Sequence, residues 1–349
     1  MMNAAIRRPL LKVEAAWWMT RIYLSNINVW PGIMGWLAAD RHPPVAGPVE
    51  LCLFALLAGG ALFIVNDIFD AEGDKVTAPY LPLPSGLLNP SQSWVAAGIY
   101  LGAGIVALGL SSRTVVHFAL AVGITVVASV GSGLYSKVKN DGLFASIVIS
   151  IPQSLTAVIA WVLAGGGRVW WLLAIVAYCL CACVSNNILA ALRDVDLDPV
   201  VGNKTFPVRV GGPKAFKVAA GIAMLAVVPV VVLGIAVGGG WPALIIGAAA
   251  VTVMGTCYRR TLASFEKPNR GRTGRMKDMK RFKQGEYVRH VAVAAAFSLP
   301  WALAAGAVLQ ASLLIGHRIY THRLIKGGIA RSLGRLDVAA EVNTGAETA

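Results

Sequence analysis

Charged side chains are scarce: Asp, Glu, Lys and Arg make up 14% of the 349 residues, against 56% apolar residues. A soluble domain carries about 25% charge, so this composition does not build an ordinary solvated surface. Acidic charge is thinner still, with 17 Asp and Glu against 31 Lys and Arg and a formal net charge of +14. That excess is not interleaved with aromatic residues in a recognisable binding module, which argues against a nucleic-acid partner. Cysteine is limited to Cys52, Cys179, Cys181, Cys183 and Cys257, all in or at the end of apolar runs. No CxxC or His partner accompanies them, and Cys181 diverges from Cys179 and Cys183 on a helix, so neither a disulfide framework nor a thiolate metal site is expected. The N-terminal "MMNAAIRRPLLKVEAAWWMTR" lacks the compact apolar core and small-residue cleavage site of a signal peptide.

What is present is a succession of long apolar runs, each able to cross a ~30 Å hydrocarbon core as a helix. Continuous runs exclude a β-barrel and predict an all-α integral membrane protein. Nine spans are expected, at about 22–39, 49–68, 92–111, 114–135, 143–165, 169–191, 215–238, 241–258 and 290–314. They form one membrane domain, 22–315, between an N-terminal segment, 1–21, and a tail, 316–349, that is basic and then disordered. Arg7, Arg8, Lys12 and Arg21 place the N-terminus in the cytoplasm, as an interfacial segment with Trp17 and Trp18 at headgroup level. The even-numbered connections then fall on the same side and hold Lys75, Lys137, Lys139, Arg193, Lys204, Arg209, Lys214 and a dense basic loop over 259–289. The opposite connections hold only Arg41, Arg113 and Arg168, a positive-inside pattern for a multi-pass protein of the cell membrane, surrounded by its lipids. Nine spans put the tail outside although it carries Arg318, Arg323, Lys326, Arg331 and Arg335, and this one feature disagrees.

Two acidic clusters interrupt the pattern at cytoplasmic helix ends. The first, "FIVNDIFDAEGDK" at 63–75, repeats Asn66, Asp70 and Asp74 every four residues, so that a continuing helix puts all three on one face with Asp67 beside them. The second, "LRDVDLDPVVGNKTFPVRVGG" at 192–212, spaces Asp194 and Asp198 by four and turns Asp196 elsewhere. Carboxylates facing each other across a cavity repel unless cations sit between them, and hard oxygen ligands select Mg²⁺, which keeps positions open for phosphate oxygens. A membrane-embedded site of this kind suits a phosphorylated lipid, with Lys139, Lys204 and Arg209 placed to neutralise a departing diphosphate. The acidic residues lie at helix ends and not at the midplane, and no inverted repeat is evident, which argues against a transporter.

These motifs resemble the UbiA superfamily of intramembrane prenyltransferases, whose NxxxDxxxD and DxxxD patterns read here as "NDIFDAEGD" at 66–74 and "DVDLD" at 194–198. Tyr135 with Lys139 fits the YxxxK pattern, "GNKTFPVRVGG" at 202–212 resembles a family loop, and "LPLPSG" at 81–86 resembles a family turn; the likeness covers roughly 20–315. The resemblance implies about nine helices around a central cavity. It implies one Mg²⁺ on Asn66, Asp70 and Asp74 with help from Asp67, and another on Asp194 and Asp198. Lys139 and Lys204 would contact the diphosphate of an isoprenyl diphosphate, with Tyr135 beside it, and the allylic cation would pass to an aromatic or lipophilic acceptor. Three departures stand out: Leu81 replaces the usual arginine of the turn, Ala190 and Ala191 stand where the family often has Asn-Asn or Asn-Asp, with Asn186 and Asn187 one turn earlier, and the basic segment 259–289 is long. The diphosphate chemistry is kept while the acceptor side is altered, so the expected activity is a prenyltransferase, with a terpene cyclase that needs no acceptor as the alternative.

Overall fold

The computed structural model describes residues 4–21, 26–43, 46–238, 240–266 and 272–325. Their regular structure is helical throughout: α1 (Ala4–Met19), α2 (Asn26–Ala39), α3 (Ala46–Thr77), α4 (Pro90–Ser111), α5 (Val115–Val138), α6 (Leu143–Leu163), α7 (Val169–Arg193), α8 (Phe206–Val210), α9 (Gly212–Leu225), α10 (Val227–Ala236), α11 (Trp241–Glu266), α12 (Arg272–Ala295) and α13 (Leu299–Tyr320). Eight described segments are long and apolar enough to cross a membrane, and each matches one of the nine expected spans. The remaining expected span, 22–39, is described from α2 onward; its 14 residues rise only ~21 Å.

Two sequence expectations need correction. The segment 259–289, read as a basic loop, is helical in its described residues: α11 continues to Glu266 and α12 runs from Arg272. Lys, Arg, Gln and Met are good helix formers, and α12 buries Met279 and Phe282 together with the charged Asp278, Glu286 and Arg289. The apolar period was hidden because charged residues occupy part of the buried face. The last span is 299–323 and not 290–314, because α12 ends at Ala295 and Pro300 sits in the first turn of α13, where its missing N–H costs nothing. Helix therefore also runs through the expected boundary at 315, to Tyr320 and a π-helical turn over Thr321–Ile325. The tail expected to be disordered, beyond 336, lies outside the described residues.

The chain divides into two compact units. One comprises residues 1–26, 53–107 and 309–349, with α1 as its organising element. Ala15 and Met19 pack against Ile64, Leu88, Ala96 and Ala97, while Leu11 and Trp18 pack against Leu87 and Tyr320. Trp18 is thus buried against protein, while Trp17 remains exposed. Polar ties reinforce this docking: Arg323 Nε donates to Glu14 Oε1 at 2.5 Å, Trp18 Nε1 donates to the same oxygen at 3.3 Å, and Arg21 pairs with the buried Asp67.

The other unit comprises residues 27–52 and 108–308 and has two chemically distinct ends. At one, the guanidinium groups of Arg41 and Arg168 lie 4.7 and 5.0 Å from the ring centre of Trp171, and Arg113 approaches Asp40 at 4.0 Å. The opposite helix ends carry the acidic motif and the basic residues of α11 and α12. Helices α11 and α12 form an antiparallel hairpin whose seam needs Gly285: a Cβ there would lie 2.3 Å from Met254 Cγ and 3.1 Å from the Ala250 carbonyl.

The Glu14–Arg323 tie carries a pH dependence. The hydrogen bond from Arg323 outweighs partial burial and holds the Glu14 carboxyl below its ordinary value of 4.5. A carboxylate with a lowered folded value stabilises above the unfolded value and loses that contribution as pH falls through the folded one. Docking of α1 is therefore expected to weaken below about pH 4.5, read as a change in tryptophan fluorescence, and Glu14→Gln should remove that transition.

Candidate active site

The first acidic motif is built by the length of α3. Its 32 residues extend about 48 Å, so the apolar stretch before residue 66 already fills the ~30 Å hydrocarbon and the motif emerges at the helix end. The helix continues unbroken through the motif to Thr77, which gives Asn66, Asp70 and Asp74 a common face. Asn66 Nδ2 donates to Asp70 Oδ2 at 2.9 Å, leaving the amide oxygen pointed away from that bond, and Thr77 Oγ1 lies 3.3 Å from Asp74 Oδ1. All three are partly exposed, whereas Asp67 is 3% exposed. Asp67 Oδ1 accepts from Arg21, so this carboxylate fastens the end of α1 to α3. Glu72 turns to solvent, 2.7 Å from Lys75 Nζ. In the following turn Leu81 is buried, so an apolar contact occupies the position of the missing arginine.

The second motif is not inside a helix. Helix α7 ends at Arg193 with Asp194 as its C-cap, and a 3₁₀ turn starts at Asp198. The four-residue relation survives because the Asp198 amide donates to the Asp194 carbonyl at 2.8 Å. Asp198 is buried and held at both oxygens: Thr205 Oγ1 donates to Oδ2 at 2.7 Å and Asn203 Nδ2 to Oδ1 at 3.2 Å. Burial pushes its carboxyl above the ordinary aspartate range; the bonds from Thr205 and Asn203 oppose that, Asp194 adds to it, and Lys139 opposes it. Asp194 is gripped by Arg193, whose Nη2 donates to Oδ2 at 2.7 Å and whose Nε lies 3.0 Å from both oxygens. Asp196 points away and pairs with Arg275 of α12.

The basic residues reach this motif through the turn between α5 and α6. Lys139 caps α5 one turn after Tyr135, and Gly142, at φ 67°, allows the reversal that an L side chain would strain. Asn140 Oδ1 accepts from the Lys204 amide at 2.7 Å. Arg209 Nε donates to the Lys204 carbonyl at 3.0 Å, and its Nη2 donates to the Asn140 carbonyl. The guanidinium of Arg209, expected to bind diphosphate, is thus engaged in bracing two loops, while the Lys204 side chain is exposed. Within this unit the structure gathers Asp194, Asp198, Tyr135, Lys139, Lys204 and Arg209 around adjoining turns. Asn66, Asp67, Asp70 and Asp74 are gathered in the other. The sequence reading missed Asn140, Asn203, Thr205, Arg193 and Arg275. Asn203 and Thr205 stand in the "GNKT" segment singled out for its lysine, so the signal for them was present.

The oxygen donors fit a hard divalent cation. Among the described residues no three His, Cys, Asp or Glu side chains converge closely enough to hold a metal alone. The first motif instead offers two carboxylates on one helix face with the amide of Asn66, and the second offers two carboxylates one turn apart, near enough for Asp194 to act on Asp198; such partial shells suit Mg²⁺ when phosphate oxygens and water complete them.

The UbiA prenyltransferase family model matches residues 28–277. The chain belongs to this family. The digeranylgeranylglyceryl phosphate synthase of Methanopyrus kandleri is 30% identical over 230 residues, covering 64% of this chain and 79% of that protein. The enzyme of the same name from Haloquadratum walsbyi is 25% identical over 208 residues, covering 57% and 66%. Among solved structures, a digeranylgeranylglyceryl phosphate synthase has a TM-score of 0.57 at 19% identity, covering 82% of this chain and 99% of its own. A UbiA homologue from Archaeoglobus fulgidus bound to DMAPP and Mg²⁺ has a TM-score of 0.57 at 16% identity, covering 78% and 97%. These structures share the UbiA fold with the chain, which is an integral, multi-pass membrane prenyltransferase.

If Thr205 aims Asp198, Thr205→Val should weaken divalent-cation binding by about 10-fold or more, the usual size for losing a group that orients a ligand. A Mn²⁺ titration of the purified protein reads this, and Thr205→Ser should keep most of the affinity.

Proposed function

We propose that the protein is a Mg²⁺-dependent prenyltransferase that ionises an isoprenyl diphosphate and transfers the prenyl group to a lipid acceptor, releasing diphosphate. The observation that carries this reading is the pair of oxygen-rich helix ends, each with two carboxylates four residues apart, in a chain of the UbiA family. Asn66, Asp70 and Asp74 would hold one cation, and Asp194 and Asp198, the latter aimed by Thr205 and Asn203, the other. Bound there, Mg²⁺ would tie the diphosphate to the carboxylates and improve it as a leaving group. Lys139 and Lys204 would donate to the diphosphate oxygens as charge builds on them, and Tyr135 lies one helical turn before Lys139. Asp67 and Arg209 keep the supporting roles seen in their ion pair and backbone bonds. The apolar helices would keep water from the allylic cation until the acceptor attacks.

The curated relatives are named for making digeranylgeranylglyceryl phosphate, which supports a glyceryl phosphate lipid as the acceptor class. Cytoplasmic placement of both motifs in the cell membrane is supported by the basic residues at the same helix ends.

The test is turnover in liposomes, with isoprenyl diphosphates of several lengths, Mg²⁺, and an isoprenylglyceryl phosphate present or absent, read by mass spectrometry. An acceptor-dependent prenylated product is expected. Asp70→Ala and Asp194→Ala should each lower diphosphate release by at least ~100-fold, corresponding to loss of a few kcal/mol of transition-state stabilisation. A cyclic hydrocarbon or alcohol formed without acceptor would replace the transferase reading with the cyclase one.

A further inference from the structure

The acidic motif at the end of α7 is electrically balanced in an unusual way: Arg193 grips Asp194, Arg275 pairs with Asp196, and Lys139 lies near enough to Asp198 to attract its charge. Arg193 is the sequence neighbour of its partner and Lys139 comes from the end of α5, but Arg275 is brought from α12. Helix α12 runs antiparallel along α7 in a fixed register. Ser185 Oγ donates to Glu286 Oε1 at 3.0 Å in the buried part of the contact, and Tyr178 Oη lies 2.7 Å from His290 Nδ1 further along. Eleven residues towards the motif on each segment, from Ser185 to Asp196 and from Glu286 to Arg275, the register delivers the Arg275–Asp196 pair. The Arg275 side chain is 18% exposed and Asp196 is 55% exposed, so a largely desolvated guanidinium holds a carboxylate that projects from the loop between the two candidate ligands.

We propose that Arg275 is a positioning residue for the second metal motif. Through Asp196 it fixes the turn that sets Asp194 and Asp198, making α12 a strut for the cation site. This use of α12 gives a purpose to the basic segment that departs from the family pattern. The inference rests on the proposed function for its catalytic readout, but the ion pair can also be read by cation binding alone.

The experiment compares Arg275→Ala, Asp196→Asn and the double variant with the intact protein in nanodiscs, and uses Ser185→Ala as a control on the same helix contact. Three quantities are measured: Mn²⁺ affinity with inorganic diphosphate present, the Mg²⁺ concentration for half-maximal turnover, and thermal stability. Each single variant is expected to raise both cation requirements roughly 10-fold, the scale for a residue that orients a ligand, with kcat at saturating Mg²⁺ changed less than about 2-fold. The double variant should be no worse than either single one, because both remove the same contact. Ser185→Ala should lower thermal stability without moving the cation requirement. Multiplying effects in the double variant, or an unchanged cation requirement with only lower thermal stability, would overturn the proposal. If the intact protein binds Mn²⁺ with diphosphate but turns over no prenyl diphosphate, the proposed function fails and the binding arm still decides the strut. No Mn²⁺ binding by the intact protein overturns both.

Discussion

Repulsion among carboxylates gathered at the ends of apolar helices is the constraint on which the arrangement turns. Two like charges 4 Å apart cost about 4 kcal/mol at the effective dielectric of a protein surface, so the acidic groups persist only with donors beside them. The structure supplies these one by one. Arg21 meets Asp67, the Asn66 amide meets Asp70, Arg193 meets Asp194, Arg275 meets Asp196, and Thr205 and Asn203 meet Asp198. Two of these contacts are local, within α3 and at the end of α7, and the others link elements of one unit: α1 to α3 in one, α12 and the loop before α8 to the end of α7 in the other. The acidic residues are thus both the candidate chemistry and the fastening points of the surrounding loops.

The same residue types divide into different tasks according to burial. Asn66, Asp70 and Asp74 keep partial exposure on one helix face, which suits groups that must meet a cation. Asp67, one residue along from Asn66, is buried and committed to Arg21. Arg209 and Lys204 differ in the same way, since the guanidinium braces two backbone carbonyls while the lysine side chain stays exposed. A planar guanidinium with several donors serves as a brace, and a compact ammonium on a flexible stem is better suited to follow a diphosphate as it leaves.

Much of this was legible in the sequence because it depended on period and length. Apolar runs of near-membrane length placed eight of the spans, five of them within about three residues at each end, and four-residue spacing placed Asn66, Asp70 and Asp74 correctly on one face. The misreadings came where a local signal was masked by charge or by tertiary contact. Basic residues of α12 concealed a helix whose buried face carries Asp278, Glu286 and Arg289. The docking of Trp18 depends on Leu87 and Tyr320, which are remote in sequence. The partner of Asp196 is 79 residues away, and no spacing rule reaches that far. Thr205 was within a quoted motif, yet only the fold shows its hydroxyl aimed at Asp198.

The central claim is the proposed one, that divalent cations held by these carboxylates bind the diphosphate of the substrate. Electron paramagnetic resonance titration of Mn²⁺ into the purified protein, with and without a non-reactive isoprenyl thiolodiphosphate, tests it most directly. The account predicts that Mn²⁺ binding tightens with the analogue and weakens when either Asp70 or Asp194 is replaced by Asn. Mn²⁺ binding that ignores the analogue, or that survives both replacements, would contradict it.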